Sequence, residues 1–301
     1  MFDVSEPMQS SWSHTLRTRL SDYWALTKPR LNALVVMTTF VGFYLASSRP
    51  MDLLLLLHTV LGTFIVAGGA SALNQVWERE NDARMRRTQN RPLPTGRLAM
   101  RDGVLFGVLM GLSGTLYLLF AVNVLTAVLG FLSFVIYVLV YTPMKARSAW
   151  NTVMGAISGA LPPVMGWTAV RDTLGLEPLV LFAILFFWQH PHFFALSWKY
   201  REDYRQGGFR MLSFNDESGN RSGLVMIFMA APLLPLAAAL TPLGLTGTLY
   251  MYVSFVLGMM YLLACVYFAS FRTEKTAGKA FFASLIYLTL LLVVMLGDKQ
   301  G

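Results

Sequence analysis

The chain has 301 residues, of which 55% are apolar and only 13% charged, and its mean hydropathy is +0.53. That balance excludes disorder and is unlike an ordinary soluble enzyme. The formal net charge of +8 would suggest nucleic acid in a soluble protein, but basic loops against an anionic leaflet account for it here, and no nucleic-acid partner is expected. The single cysteine, Cys265, leaves no intrachain disulfide or cysteine-based metal site to build.

A bilayer span takes about 20 mostly apolar residues. Uncharged apolar runs occur at Leu31–Ser47, Leu53–Val76, Val104–Leu119, Val122–Tyr141, Asn151–Val170, Leu179–Trp198, Gly223–Leu240, Leu245–Ser270 and Ala280–Leu296. They predict an all-α polytopic membrane protein with nine transmembrane helices. Residues 1–27 are polar, include Arg17, Arg19 and His14, and read as a tail; the apolar run that follows is close to full span length and reads as an anchor rather than a cleaved signal, within one transmembrane domain over 28–301. With the tail placed inside, 21 of the 24 Lys and Arg residues lie in inner segments, and only Arg49, Arg171 and Lys299 lie outside. The positive-inside rule then predicts a cytoplasmic N-terminus. The loops after the second and sixth spans are long, charged in both signs and interrupted by Pro and Gly, so chemistry is expected on the cytoplasmic face.

The second span runs into SALNQVWERENDARMRRTQNRPLPTGR, where Asn74, Glu78 and Asp82 recur every four residues. On a helix each such step turns the azimuth by about 40° and rises about 6 Å, which makes a column of oxygen-bearing side chains on one face. Such a column suits Mg²⁺, which prefers oxygen ligands, keeps several waters and shares substrate phosphates. Downstream, Arg84, Arg86, Arg87 and Arg91 can hold an anion. Acid and base in one loop imply a ternary site of carboxylate, metal and diphosphate. The plainer alternative is a juxtamembrane loop whose acids pair locally, at i, i+4, with arginines that follow the positive-inside rule.

The loop after the sixth span adds Asp203, with Lys199, Arg201 and Glu202 near it, and a second carboxylate there can face the first column and clamp a diphosphate through bridging metals. The loop after the fourth span adds Tyr141, Lys145 and Arg147, with Asn151 opening the fifth span. His58, alone in the second span, reads as a packing residue. His190 and His192 flank Pro191, which is expected to interrupt the sixth helix beside a cavity. An imidazole there can ligate haem iron, but two histidines two residues apart cannot both face one iron from regular helix, so one of the pair is expected and the choice stays open.

These features together resemble the UbiA family of intramembrane prenyltransferases, most closely its haem-farnesylating branch. The resemblance lies in Asn74, Glu78 and Asp82 with Arg84, Met85, Arg87, Thr88, Asn90, Arg91, Pro92 and Leu93; in Lys28-Pro29-Arg30; in Tyr141-Thr142-Pro143 with Lys145; and in Asn151-Thr152-Val153 leading to Gly159 and Gly166-Trp167. Trp188-Gln189, Pro191-His192-Phe193 and Asp203-Tyr204 are similar to the haem-specific subgroup. The chain departs from the family pattern at Glu78, where Asp is usual, at Met144 and Ala146, which break a Leu-Lys-Arg run, at Lys199, where many relatives outside that branch carry an acid, and in the stretch beginning at Met211.

The resemblance implies a nine-helix bundle in the bacterial cytoplasmic membrane with its site toward the cytoplasm. It implies Mg²⁺ on Asn74, Glu78, Asp82 and Asp203, and a diphosphate held by Arg30, Arg84, Arg87, Arg91, Lys145, Lys199 and Arg201. The implied reaction moves the farnesyl group of farnesyl diphosphate to a vinyl group of haem b, with His192 the first candidate for the iron and His190 the next. Membrane lipid, and haem A synthase or terminal oxidase assembly, are the other partners implied. Prenylation of a quinone-type aromatic ring is the alternative within the same class. A transporter or haem-handling protein without chemistry is the alternative outside it, and it leaves the acidic ladder without a role.

Overall fold

The computed structural model describes residues 18–210, 216 and 218–300; Arg17, His14 and the stretch 211–215 lie outside the described residues. Among the described residues, nine helices are long and apolar enough to cross a membrane. They are α1 Pro29–Ala46, α2 Leu53–Trp77, α3 Met100–Ala121, α4 Val124–Met144, α5 Asn151–Arg171, α6 Leu176–Lys199, α7 Asn220–Ala238, α8 Thr248–Phe271 and α9 Glu274–Gly297. The expected count holds, and the ends shift by a few residues. α3 and α9 start earlier than their apolar runs, with Asp102 and Glu274 in their first turns, where a carboxylate complements the positive end of the helix dipole. α7 is interrupted after Ala230 and resumes at Leu233, because Pro232 has no N–H to continue the ladder.

Proline does less elsewhere than the sequence suggests. α6 runs unbroken through Pro191, and α5 through Pro162 and Pro163, which corrects the expected break at the His-Pro-His segment. One missing N–H frees one carbonyl, and a packed neighbour can satisfy it. Ser133 Oγ of α4 does this for Ser158, donating to its carbonyl at 3.0 Å. A feature the sequence did not announce lies in α4, whose turn Ile136–Tyr141 is π-helical. Such turns often mark functional sites.

In lipid, water gives the helices little reason to associate, so close packing of small residues has to do it. A Cβ on Gly69 of α2 would lie 2.5 Å from Gly111 N and 2.7 Å from Gly107 O of α3. α1 and α5 touch backbone to backbone in the same way: a Cβ on Gly42 would sit 1.9 Å from Pro163 O, and one on Gly166 1.9 Å from Thr39 O. Gly166→Val therefore has nowhere to put its side chain. Overpacking of this kind costs about 1–3 kcal/mol or more, and a thermal-unfolding midpoint in detergent lowered by several degrees is the expected result; an unchanged midpoint would mean that the two helices are not in backbone contact.

The buried apolar residues fall into two main bodies. One joins α6 to α9 with the end of α1 and one side of α5, through residues such as Leu45, Trp167, Leu185, Tyr261 and Leu288. The other joins α2 to α5 through Val66, Leu118, Ala127, Leu161 and Met165. Trp24, Trp77 and Trp150 are exposed at the helix ends that carry the charged loops, as in an interfacial aromatic belt. The opposite end is tied shut. Asp298 accepts from Tyr250 N at 2.7 Å at the start of α8, and Lys299 Nζ donates to Tyr44 O at 2.8 Å and to Ser47 O at the end of α1.

Candidate active site

Two cavities adjoin within the bundle. The deeper one, about 1140 Å³, is a largely apolar chamber walled by α1, α2, α4, α5 and α6, including Val35, Val66, Phe134, Met165 and Trp188. The other, about 860 Å³, lies at the end bearing the charged loops and contains Lys28, Glu78, Asp82, Arg87, Arg91 and Lys145. Leu31, Tyr137, Tyr141 and Phe193 line both, so an aromatic collar separates a charged vestibule from an apolar chamber. The π-helical turn ends at this collar and presents Tyr137 and Tyr141 to it.

The oxygen ladder crosses the end of α2. The helix stops at Trp77, Glu78 forms the junction, and Asp82 sits in the short helix Arg79–Ala83. The bonds Glu78 N→Asn74 O (2.9 Å) and Asp82 N→Glu78 O (2.7 Å) carry the four-residue spacing through the junction. Each rung is buried, with Asn74 0%, Glu78 4% and Asp82 2% exposed, and each meets a cation. Lys28 Nζ donates to Asn74 Oδ1 at 2.6 Å, Lys145 Nζ lies 2.8 Å from Glu78 Oε1, and Arg91 donates to Asp82 Oδ2 at 2.6 Å. None of these partners stands at i+4, so local helical pairing does not account for the acids.

Burial sets the electrostatics of these rungs. It pushes the Lys28 ammonium down to about 7, helped by the Arg91 charge. It pushes the Asp82 carboxyl above its ordinary value, against the pull of Arg91. It also opposes charge on Lys145, but the Glu78 carboxylate and nearby tyrosines outweigh it and hold that ammonium well above the ordinary lysine value. A charged group kept in low dielectric is sensitive to any new ion beside it.

Not every expected residue reaches the vestibule. Asp203 lines a neighbouring outer hollow with Arg86, Lys199 and Glu202, and its carboxylate accepts the backbone N–H groups of Arg86 (3.0 Å) and Arg87 (3.4 Å). The two acidic stretches therefore do meet, but Asp203 fastens one loop to the other. Asn81 Nδ2 reinforces the junction by donating to Gly207 O, and Met85 packs with Tyr204 and Phe209 beneath it. Lys199 Nζ lies over the Phe281 and Phe282 rings, and the Arg201 guanidinium over Trp198. Arg30, Arg84 and Arg201 are exposed and line neither cavity. In Lys28-Pro29-Arg30 the inward residue is Lys28, at positive φ just before α1, whereas Arg30 lies about 100° around the helix from the cavity-lining Leu31.

Sequence reasoning passed over Lys28 and Thr142 as site residues. Thr142 Oγ1 donates to Tyr137 O at 2.8 Å and accepts from Asn74 Nδ2 at 3.1 Å, which links the π-helical turn to the ladder. Both residues lie within the stretches that resemble the family, but only the fold shows which side chain turns inward. Of the histidines, His58 pairs with the Tyr117 hydroxyl at 2.7 Å, away from both cavities. His192 lines the apolar chamber and approaches Ser284 Oγ at 2.7 Å through Nδ1. His190 lines neither cavity, and its Nδ1 bonds Phe186 O at 2.7 Å.

Among the described residues no group of three or more His, Cys, Asp or Glu side chains could hold a metal. Two features still fit Mg²⁺: the carboxylates of Glu78 and Asp82 face one cavity, and Glu78 Oε1 is buried without a properly directed hydrogen bond, Lys145 notwithstanding. This is half a coordination shell, suited to an ion that completes itself with water and phosphate oxygens.

A family model described as the UbiA prenyltransferase family matches residues 35–288. A protoheme IX farnesyltransferase of Solibacter usitatus is 40% identical over 291 residues, covering 94% of this chain and all of the relative. One from Opitutus terrae is 44% identical over 285 residues, covering 93% and 95%. Among solved structures, a digeranylgeranylglyceryl phosphate synthase superposes with a TM-score of 0.80 at 16% identity, over 93% of this chain and 98% of that one. A UbiA homologue from Archaeoglobus fulgidus bound to DMAPP and Mg²⁺ superposes with a TM-score of 0.69, also at 16% identity, over 91% and 99%. With a family model matched over most of its length and relatives at this identity across nearly all of it, the chain belongs to the UbiA prenyltransferase family.

Proposed function

We propose that the chain transfers the farnesyl group of farnesyl diphosphate to a vinyl group of haem b, giving haem O and diphosphate, at the cytoplasmic face of the bacterial inner membrane. The observation that carries this reading is the buried acid–base ladder opening, through a tyrosine collar, onto an apolar chamber into which a histidine projects. The relatives named protoheme IX farnesyltransferase support haem as the acceptor, and the DMAPP-bound and Mg²⁺-bound homologue supports a prenyl diphosphate as the donor.

Glu78 and Asp82 would hold Mg²⁺, which when bound neutralises charge on the departing diphosphate. Lys28, Arg87, Arg91 and Lys145 face the same vestibule and stabilise the negative charge that grows on the leaving group, in a site organised before the reaction starts. Asn74 holds Lys28 in place, and Asp203 holds the Arg86–Arg87 backbone, from which the Arg87 side chain donates to the Tyr204 hydroxyl at 3.2 Å at the edge of the vestibule. The bond between farnesyl C1 and oxygen breaks with its electron pair going to diphosphate. Tyr137, Tyr141 and Phe193 surround the passage between the cavities, and their ring faces favour the allylic cation that remains. The haem vinyl carbon attacks that cation, and water adds to the adjacent carbon with loss of one proton, which leaves a hydroxyethylfarnesyl group. His192 holds the iron, and the farnesyl tail occupies the apolar chamber.

Mass spectrometry of haem extracted after membranes containing the protein are incubated with haem b and farnesyl diphosphate tests the assignment. The expected product carries one added farnesyl and one added hydroxyl; prenylation of a quinone precursor with no change to haem would move the activity to the other acceptor class. EDTA is expected to abolish turnover and excess Mg²⁺ to restore it, whereas activity indifferent to chelation would remove the metal.

A further inference from the structure

We infer that Ser284 of α9 is a positioning residue for His192, fixing it in the tautomer with the proton on Nδ1 and a lone pair on Nε2. The inference rests on the hydrogen bonds around Ser284. Its Oγ donates to the carbonyl of Phe281, one turn back, at 2.5 Å. A serine hydroxyl has one proton, and a carbonyl oxygen can only accept, so that proton is committed. The 2.7 Å contact between Ser284 Oγ and His192 Nδ1 then requires the proton to sit on the imidazole nitrogen. In a neutral ring this leaves Nε2 as the unprotonated nitrogen.

The same residue also sets the plane of the ring. His192 packs against Trp188, 4.9 Å away and nearly parallel at 26°, and against Phe281, 4.9 Å away at 32°. Trp188 is itself held by Ser284, because its indole Nε1 donates to the Ser284 carbonyl at 2.8 Å. Ser284 is completely buried, so water does not compete for either oxygen, and the neighbouring Tyr261 hydroxyl sends its own proton to Trp188 O at 3.4 Å. Its side chain aims the imidazole, and its backbone anchors the indole that the imidazole stacks on. A metal-binding histidine commonly donates its second N–H to an oxygen in this way, which orients the ring and makes the free nitrogen more basic. His190, the other half of the pair, has its Nδ1 on a helix carbonyl but lines neither cavity.

The tautomer stands on these contacts alone; that the waiting lone pair receives haem iron rests on the proposed function. Nitrogen NMR of the purified protein in detergent, with ¹⁵N-labelled histidine and His192 assigned by its loss in His192→Gln, tests the first part without any ligand. The expected wild-type spectrum shows His192 neutral, protonated at Nδ1 and bare at Nε2. Ser284→Ala is expected to give mixed tautomers and Ser284→Thr, which keeps the hydroxyl, the wild-type pattern. A wild-type His192 protonated at Nε2 overturns the inference, even if Ser284→Ala fails to fold. The second part is read from haem b added to the same proteins. Ser284→Ala is expected to bind it about 10- to 100-fold more weakly, with the iron–histidine stretching band shifted in the Raman spectrum and restored in Ser284→Thr. An iron–histidine band that is present and identical in wild type and Ser284→Ala also overturns the inference. Wild-type protein that binds no haem b would instead remove the proposed acceptor, and the nitrogen shifts would still decide the tautomer.

Discussion

Replacing Glu78 by Gln or Asp82 by Asn is expected to lower turnover per folded molecule by about 10²- to 10³-fold, the loss seen when one preorganised electrostatic contact to a transition state is removed. Both carboxylates are almost fully buried and face the same vestibule. Burial normally drives a carboxylate to neutrality unless something compensates its charge. Here the compensation comes from Lys145 and Arg91, neither of which is a sequence neighbour at helical spacing. A chain that needed only a stable loop could dispense with these charges. The amide variants keep the size of each side chain but lose its charge and turn one acceptor oxygen into a donor facing Lys145 or Arg91, so some loss of stability is expected as well and turnover is read per folded molecule. Farnesyl transfer assayed in membranes, normalised to folded protein, checks the expectation; full activity in both variants would take the ladder out of the mechanism.

Lys145→Met should act first on stability. The Lys145–Glu78 pair is largely shielded, with side chains 13% and 6% exposed. Deleting one member of such a pair strands the other charge in low dielectric, at a cost of about 3–5 kcal/mol. The double variant Glu78→Gln/Lys145→Met leaves no stranded charge and should recover most of that loss, because a buried pair replaced as a unit is often close to neutral. Neither protein should turn over substrate, since the first lacks the cation near the leaving group and the second lacks the carboxylate as well. Thermal unfolding in detergent beside an activity assay distinguishes these effects. A double variant no more stable than Lys145→Met would show that Lys145 is needed for packing, through its contacts with the Tyr141 and Phe209 rings, rather than for charge balance.

The ladder and the span count were legible in the sequence because both are local. Asn74, Glu78 and Asp82 are spaced by the pitch of a helix, and that spacing survives the junction at Glu78 because the backbone bonds continue through it. Apolar runs long enough for a bilayer are a property of consecutive residues, and the structure moved only their ends. The choice among cations was not legible in this way. Arg30 and Lys28 share a tripeptide, and Lys199, Arg201 and Asp203 share a loop, yet only Lys28 of these reaches the vestibule. A one-residue step turns a side chain by about 100°, and an arginine placed by the positive-inside rule resembles one placed for a phosphate.

By its own sequence this protein is committed to being an all-helical membrane protein with an oxygen ladder beside concentrated positive charge, because hydrophobic length and helical spacing are written along the chain. Only the tertiary structure decided that Lys28, Lys145 and Arg91 are the partners of that ladder, that Asp203 binds a loop, and that His192 rather than His190 looks into the chamber. Those outcomes depend on contacts between helices remote in sequence, such as Ser284 of α9 against His192 of α6. Such contacts form only where the packed bundle brings the helices together, and no local pattern records which side chains will then meet.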